Sequence, residues 1–150
     1  MVEHQSNSEI FGDPKGYGLM EYTYYQMATA AGINREPCEI REDGPRAHFL
    51  TRRFDRRGNH KIHMQTLCAI AHADYKRPGQ FSYEELFQVA RRLRLSRIDA
   101  LEIYRRMVFN VVARNQDDHT KNFPFLMDKD GKWCLSPAYA VAYSYQPGTH

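Results

Sequence analysis

From Leu19 to Ala31 the chain reads LMEYTYYQMATAA, a series of good helix formers followed by Gly32, which predicts a helix that stops at the glycine. Ahead of it, residues 1–18 carry Gly12, Pro14, Gly16 and Gly18 and should form an extended or loop segment. Two short strands are expected next, Cys38–Arg41 and Ala47–Arg53, paired as a hairpin across the turn Asp43-Gly44-Pro45. After Asn59 the pattern turns helical, and Ile62 to Ala73 is apolar enough for a buried helix. Ser82 with Glu85 is a capping-box pair, and Leu86, Phe87, Val89, Ala90 and Leu93 continue it as a helical stripe. Ser96 with Asp99 repeats the start signal. Ile98, Leu101, Tyr104, Val108, Val111 and Val112 then keep helical spacing through what should be a long central helix. The run RNQDDHTKN, residues 114–122, is too polar for a core. Phe123–Met127 and Lys132–Leu135 flank the turn Asp128-Lys129-Asp130-Gly131, a second hairpin.

Composition narrows the class without naming a function. The 150 residues suit one domain with a real core, and 42% hydrophobic with 26% charged residues are values of an ordinary soluble globular protein. No apolar run approaches the roughly 18 residues of a membrane helix, and the polar start lacks the apolar centre of a secretory signal. The expected compartment is the cytosol, with no membrane partner. The net charge of +3 is mild. Arg91, Arg92, Arg94 and Arg97, with Arg105 and Arg106, read as charged faces of amphipathic helices, and direct nucleic-acid binding is not expected. Cys38, Cys68 and Cys134 form no C-x-x-C pair and read as reduced thiols. His60 and His63 lack neighbours to complete a zinc ligand set.

The polar run holds the candidate chemistry. Asp117 and Asn122 are separated by four residues, the D-x-x-x-x-N spacing of a kinase catalytic loop. In such a loop a carboxylate orients or accepts the proton of an attacking hydroxyl, while an amide oxygen a few residues on reaches a magnesium ion bridging ATP phosphates. Lys121 places a cation where phosphate charge would sit, and Asp118 and His119 add polar groups. The bland alternative is a solvated loop whose Asp and Asn side chains cap helices and close turns. The turn Asp128–Gly131 resembles the opening of an EF-hand loop but lacks the glutamate that would complete one.

The stretches FGDPKGYG, MEYTYYQMATAAGI, RAHFLTRRFDRRGNHKIHMQTLCAIAHADY, FSYEELFQVARRL, YRRMVFNVVARNQDDHTKNFPFLMD and GKWCLSPAY run from Phe11 toward Pro147 in one order. In that order they resemble the C-terminal kinase region of the HipA-like serine/threonine kinases, toxins of bacterial type II toxin–antitoxin pairs. The resemblance implies an α+β, mostly α, protein-kinase-like fold. Residues 1–55 would be a remnant of the N-lobe, and residues 56–150 a helical lobe with catalytic loop and hairpin. It implies ATP and Mg2+ as cofactors. Asp117 would be the general base and Asn122 a magnesium ligand; His119, Thr120 and Lys121 would lie along the nucleotide phosphates. Arg52, Arg53 and Phe54 would be the hinge whose backbone holds adenine, with Tyr139 beside the nucleotide, and Glu21 would be the carboxylate near the phosphate-binding lysine. An antitoxin is the implied partner, and a translation factor or tRNA synthetase the implied protein substrate.

Two departures qualify what is implied. The family's S-P-x-Y-D segment reads Ser136-Pro137-Ala138-Tyr139-Ala140, so a methyl group stands where the second metal-binding aspartate belongs. Family members also carry an upstream glycine-containing phosphate loop, a strand lysine and further C-terminal helices; Lys15 sits in the wrong context to replace that lysine. Catalysis by this chain is therefore expected to be impaired. The alternative is a non-catalytic kinase-like module that binds an antitoxin or another protein. Without the missing helices, apolar faces are expected to stand exposed.

Overall fold

The computed structural model describes residues 16–44, 46–72 and 81–145. Residues 1–15 of the expected 1–18 loop (Lys15 among them), Pro45 of the first turn and Ala73 lie outside the described residues, whereas Tyr17 and Gly18, also expected in that loop, already belong to the first helix. Helix α1 spans Tyr17–Ala30 and ends as anticipated: Gly32, at φ +78°, donates its N–H to Thr29 O, and the Ile33 N–H returns to Ala28 O. Strands β1 (Cys38–Asp43) and β2 (Arg46–Thr51) pair antiparallel in the expected hairpin, and α1 packs on it. Gly18 is the point of closest approach. A Cβ there would lie 2.2 Å from the backbone oxygen of Ala47.

The stretch after Asn59 departs from expectation. A small ladder joins β3 (Arg56–Arg57) to β4 (His60–Lys61), and His63–Thr66 forms β5 rather than the first turn of a buried helix. The helix there, α2, is only Leu67–Ala71, capped by the Thr66 side chain. Local apolar content favoured helix, but the backbone of His63–Thr66 is taken up by pairing with Met127–Pro124, a partner sixty residues away in the chain. The second hairpin forms as expected from β6 (Pro124–Met127) and β7 (Trp133–Leu135), and β5 adds to it in the order β5-β6-β7.

Helices α3 (Tyr83–Arg92) and α4 (Arg97–Val112) begin at Ser82 and Ser96, each with both hydrogen bonds of a capping box. Asp99 also accepts the Leu135 N–H at 3.1 Å, so the start of α4 is tied to β7. One core packs Leu67, Leu86, Val89, Ile103, Phe123, Phe125 and Leu135 together; a second joins Ala28 and Ile33 to Ala138 and Val141.

The expectation for α4 fails in an instructive way. The helix exists, but its apolar stripe faces outward: Ile98 is 79% exposed, Val111 64% and Val112 77%. The buried residues are Glu102, Ile103, Arg106 and Asn110. Polar side chains can occupy that face because they bond to one another and to neighbouring backbone.

Ile103→Ala is accordingly expected to cost about 2–5 kcal/mol, and Ile98→Ala to stay within about 0.5 kcal/mol, read from urea unfolding midpoints. Gly18→Ala forces a backbone shift and should cost about 1–3 kcal/mol despite alanine's better helix propensity. Gly16→Ala, with open space around it, is the control in the same melts.

Candidate functional site

The polar loop leaves α4 at Ala113, whose carbonyl accepts from the Tyr24 hydroxyl at 2.5 Å, and closes in a 3-10 turn at Thr120–Asn122. A buried polar relay holds it. Asn115 Nδ2 donates to Asn110 Oδ1 at 3.0 Å, Asn110 Nδ2 to the Tyr83 hydroxyl at 3.0 Å, and that hydroxyl to Asp118 Oδ2 at 2.5 Å. Burial, and then the Asp118 carboxylate, push the Tyr83 hydroxyl well above the ordinary tyrosine range. The two consecutive aspartates are thereby sorted. Asp118 is held at the protein side by α3, while the Asp117 side chain stays half exposed with His119 Nε2 at 3.6 Å.

Of the remaining candidate residues, Thr120, Lys121, Asn122 and Tyr139 gather at this turn, and Arg52, Arg53 and Glu21 do not. Asn122 Nδ2 donates to the Asp117 carbonyl at 2.6 Å, which leaves its amide oxygen as the group able to face a cation. Thr120 is buried, and its hydroxyl has no partner among the described residues. The Tyr139 hydroxyl donates to the Lys121 carbonyl, and burial raises it above the usual tyrosine value. Phe54 stacks obliquely on Tyr139 with centroids 5.7 Å apart, so the chain after β2 meets the segment after β7. Arg52 is exposed, and Arg53 is turned onto Asp55, donating through Nε and Nη2 at 2.7 Å each. That Arg53 contact, with Arg56 beside it, holds the buried Asp55 carboxyl below the usual carboxylate range. Glu21 is half buried, and its charge acts on Arg35.

Asp118, Asn122, Tyr139 and Ala140 line one crevice, together with Asn110, Asn115 and Arg106. Ala140 has φ +50°, a left-handed conformation in which Asp and Asn are at home and alanine is strained. A divalent cation here would find the Asn122 amide oxygen and Asp118, but a methyl group at position 140 and a guanidinium in the wall. Among the described residues no group of three or more His, Cys, Asp or Glu side chains could hold a metal ion. This donor set does not fit magnesium, which takes carboxylates in near-octahedral geometry.

Sequence reasoning missed Tyr83, Glu102, Arg106, Asn110 and Asn115. A signal for three of them was present: Glu102, Arg106 and Asn110 recur every four residues, a polar line on a helix otherwise rich in apolar side chains.

Comparison with known proteins now decides the family. Residues 4–150 match the HipA-like C-terminal domain. The chain belongs to that family. It is 29% identical over 132 residues to a Sinorhizobium fredii protein named "Putative kinase Y4mE", covering 79% of this chain and 31% of that protein. It also aligns with a chain of the Shewanella oneidensis MR-1 toxin–antitoxin complex of HipA, HipB and operator DNA, with a TM-score of 0.71 at 24% identity. That match covers 83% of this chain and 34% of the other, so the HipA-like domain spans about a third of the length of the relatives it matches. The fold is of the kinase-like HipA type, α+β with more helix than strand. Among the described residues no helix is long and apolar enough to cross a membrane.

Tyr83→Phe leaves Asp118 Oδ2 and Asn110 Nδ2 without their shared partner, and is expected to cost about 1–3 kcal/mol at neutral pH. The folded-state value of Tyr83 lies above the unfolded one. Its contribution is therefore complete below about pH 10 and is lost as pH climbs toward the folded value, because the unfolded chain releases the proton first. Melting temperatures from pH 8 to 11 should fall more steeply for the native protein than for Tyr83→Phe.

Proposed function

We propose that this chain is the nucleotide-site region of a HipA-type, ATP-dependent protein serine/threonine kinase of a toxin–antitoxin system, impaired in phosphoryl transfer. The observation that carries the reading is the sorted aspartate pair. Asp117 is presented to solvent one short turn before Asn122, in the D-x-x-x-x-N order of a kinase loop, while Asp118 is held back by Tyr83. In this reading Asp117 takes the proton of a substrate hydroxyl, and Lys121 and His119 flank the phosphates. Phe54 and Tyr139, stacked on each other, form the apolar wall between hinge and loop. In this reading residues 1–55 are a remnant of the N-lobe, and residues 56–150 the helical lobe that carries the loop. An antitoxin is the expected protein partner, and a serine of a translation component the expected acceptor.

Impairment follows from position 140. Removing one charge-stabilising group from a transition state typically costs about 3–4 kcal/mol, or about 100–1000-fold in rate. The outward-facing stripe of α4 favours a second reading, a kinase-like module whose remaining role is to bind another protein.

Transfer of labelled phosphate from ATP to the chain itself or to a generic serine substrate should be at background for the native sequence. Ala140→Asp, placed in a left-handed position that aspartate tolerates, is expected to raise transfer by at least about 100-fold with magnesium. Adding Asp117→Asn to that variant should abolish the gain. Kinase-like rates from the native chain would overturn the impairment, and no gain from Ala140→Asp would leave the binding module as the better reading.

A further inference from the structure

The crevice that does not fit magnesium has a wall suited to the opposite charge. Arg106 is 3% exposed, and two of its nitrogens are committed: Nε donates to Glu102 Oε1 at 2.9 Å and Nη2 to the Ser136 carbonyl at 2.7 Å. The third, Nη1, is buried and has no hydrogen-bond partner among the described residues. Arg106 lines the crevice with Asn110, Asn115, Asn122, Tyr139 and Ala140. A guanidinium cannot shed its proton to escape that position, so an orphaned N–H here is a donor awaiting an acceptor.

Charge and size define the acceptor. Glu102, which balances Arg106, is shared: it also accepts from Arg105 Nη1 at 2.9 Å and from the Asn34 N–H at 3.0 Å. The charge of Arg35 reaches Arg106 as well. Among the described residues the one carboxylate in the crevice wall is Asp118, whose Oδ2 is engaged by the Tyr83 hydroxyl. A carboxylate at position 140 would bring a second negative charge toward Arg106; alanine brings none. The enclosed space is about 10 Å3, room for one oxygen atom, and the exposed Ala140 is part of its lining.

We infer that the crevice beneath Ala140 takes an oxygen of a phosphate-class oxyanion without a divalent metal, with Arg106 Nη1 as its donor. The oxygen enters past Ala140, and the body of the anion stays in the mouth beside Asn122 and Tyr139. The inference concerns the proposed nucleotide site but does not depend on phosphoryl transfer.

The test is calorimetric titration of the chain with sodium pyrophosphate in EDTA, at constant ionic strength, with the native sequence and Ala140→Asp. Binding by the native chain is expected, weakened by about tenfold or more in Ala140→Asp, whose carboxylate would occupy the mouth and pair with Arg106. Arg106→Met should abolish binding where melting shows that it folds; Ala140→Asp carries the test where it does not. No binding in EDTA, or equal binding by the native chain and Ala140→Asp, would overturn the site. A parallel titration with a non-hydrolysable ATP analogue separates this from the kinase reading. Pyrophosphate held without metal while the analogue is refused supports the anion site and sinks the nucleotide reading. Analogue binding that requires magnesium, with pyrophosphate refused, does the reverse.

Discussion

Glu102 and Arg106 sit one turn apart on α4, and the backbone that carries the candidate site is hung from them. Arg106 grips the Ser136 carbonyl at the end of β7, and Glu102 grips the Asn34 N–H beyond α1. Those two anchored strands of chain then meet, Arg35 bridging to Ala138 and the Ala138 N–H donating to Asn34 O at 2.8 Å. Against an apolar replacement of the same shape such a pair adds little net stability. Removing one partner is different, since it strands a buried charge at about 3–5 kcal/mol. The pair therefore acts as a locator, deciding which backbone lies along α4 and where residues 136–140 run.

The loop is located in the same manner from the other side. Asn110 belongs to the same polar line of α4, and through Tyr83 it reaches Asp118. One helix face thus positions both walls of the crevice: Arg106 the 136–140 segment, Asn110 the polar loop. This explains why α4 buries Glu102, Arg106 and Asn110 while Ile98, Val111 and Val112 look outward. The face that orders the site is not the face with the most apolar area, because here burial is compensated by hydrogen bonds to segments that have no other anchor.

The chemistry left at the site is mixed. A half-exposed carboxylate and an amide keep the D-x-x-x-x-N spacing with a lysine between them, while position 140 carries only a methyl group and a guanidinium nitrogen of the crevice wall has no acceptor among the described residues. The left-handed backbone at position 140 still has the conformation that suits an aspartate.

Local sequence determined much of this protein. The capping boxes at Ser82 and Ser96, the glycine stop at Gly32, both hairpin turns and the D-x-x-x-x-N loop were all legible, because each is settled by groups within a few residues of one another. The family was legible too, in the order of its segments, since that order needs no coordinates. Tertiary structure alone decided that His63–Thr66 is a strand, that α4 turns its polar line inward, and that Tyr83 and Arg106 belong to the site. Each of these depends on a partner far away in the chain, β6, Ser136 or Asp118. A pattern read along the backbone carries no term for a hydrogen bond that closes only when distant segments meet.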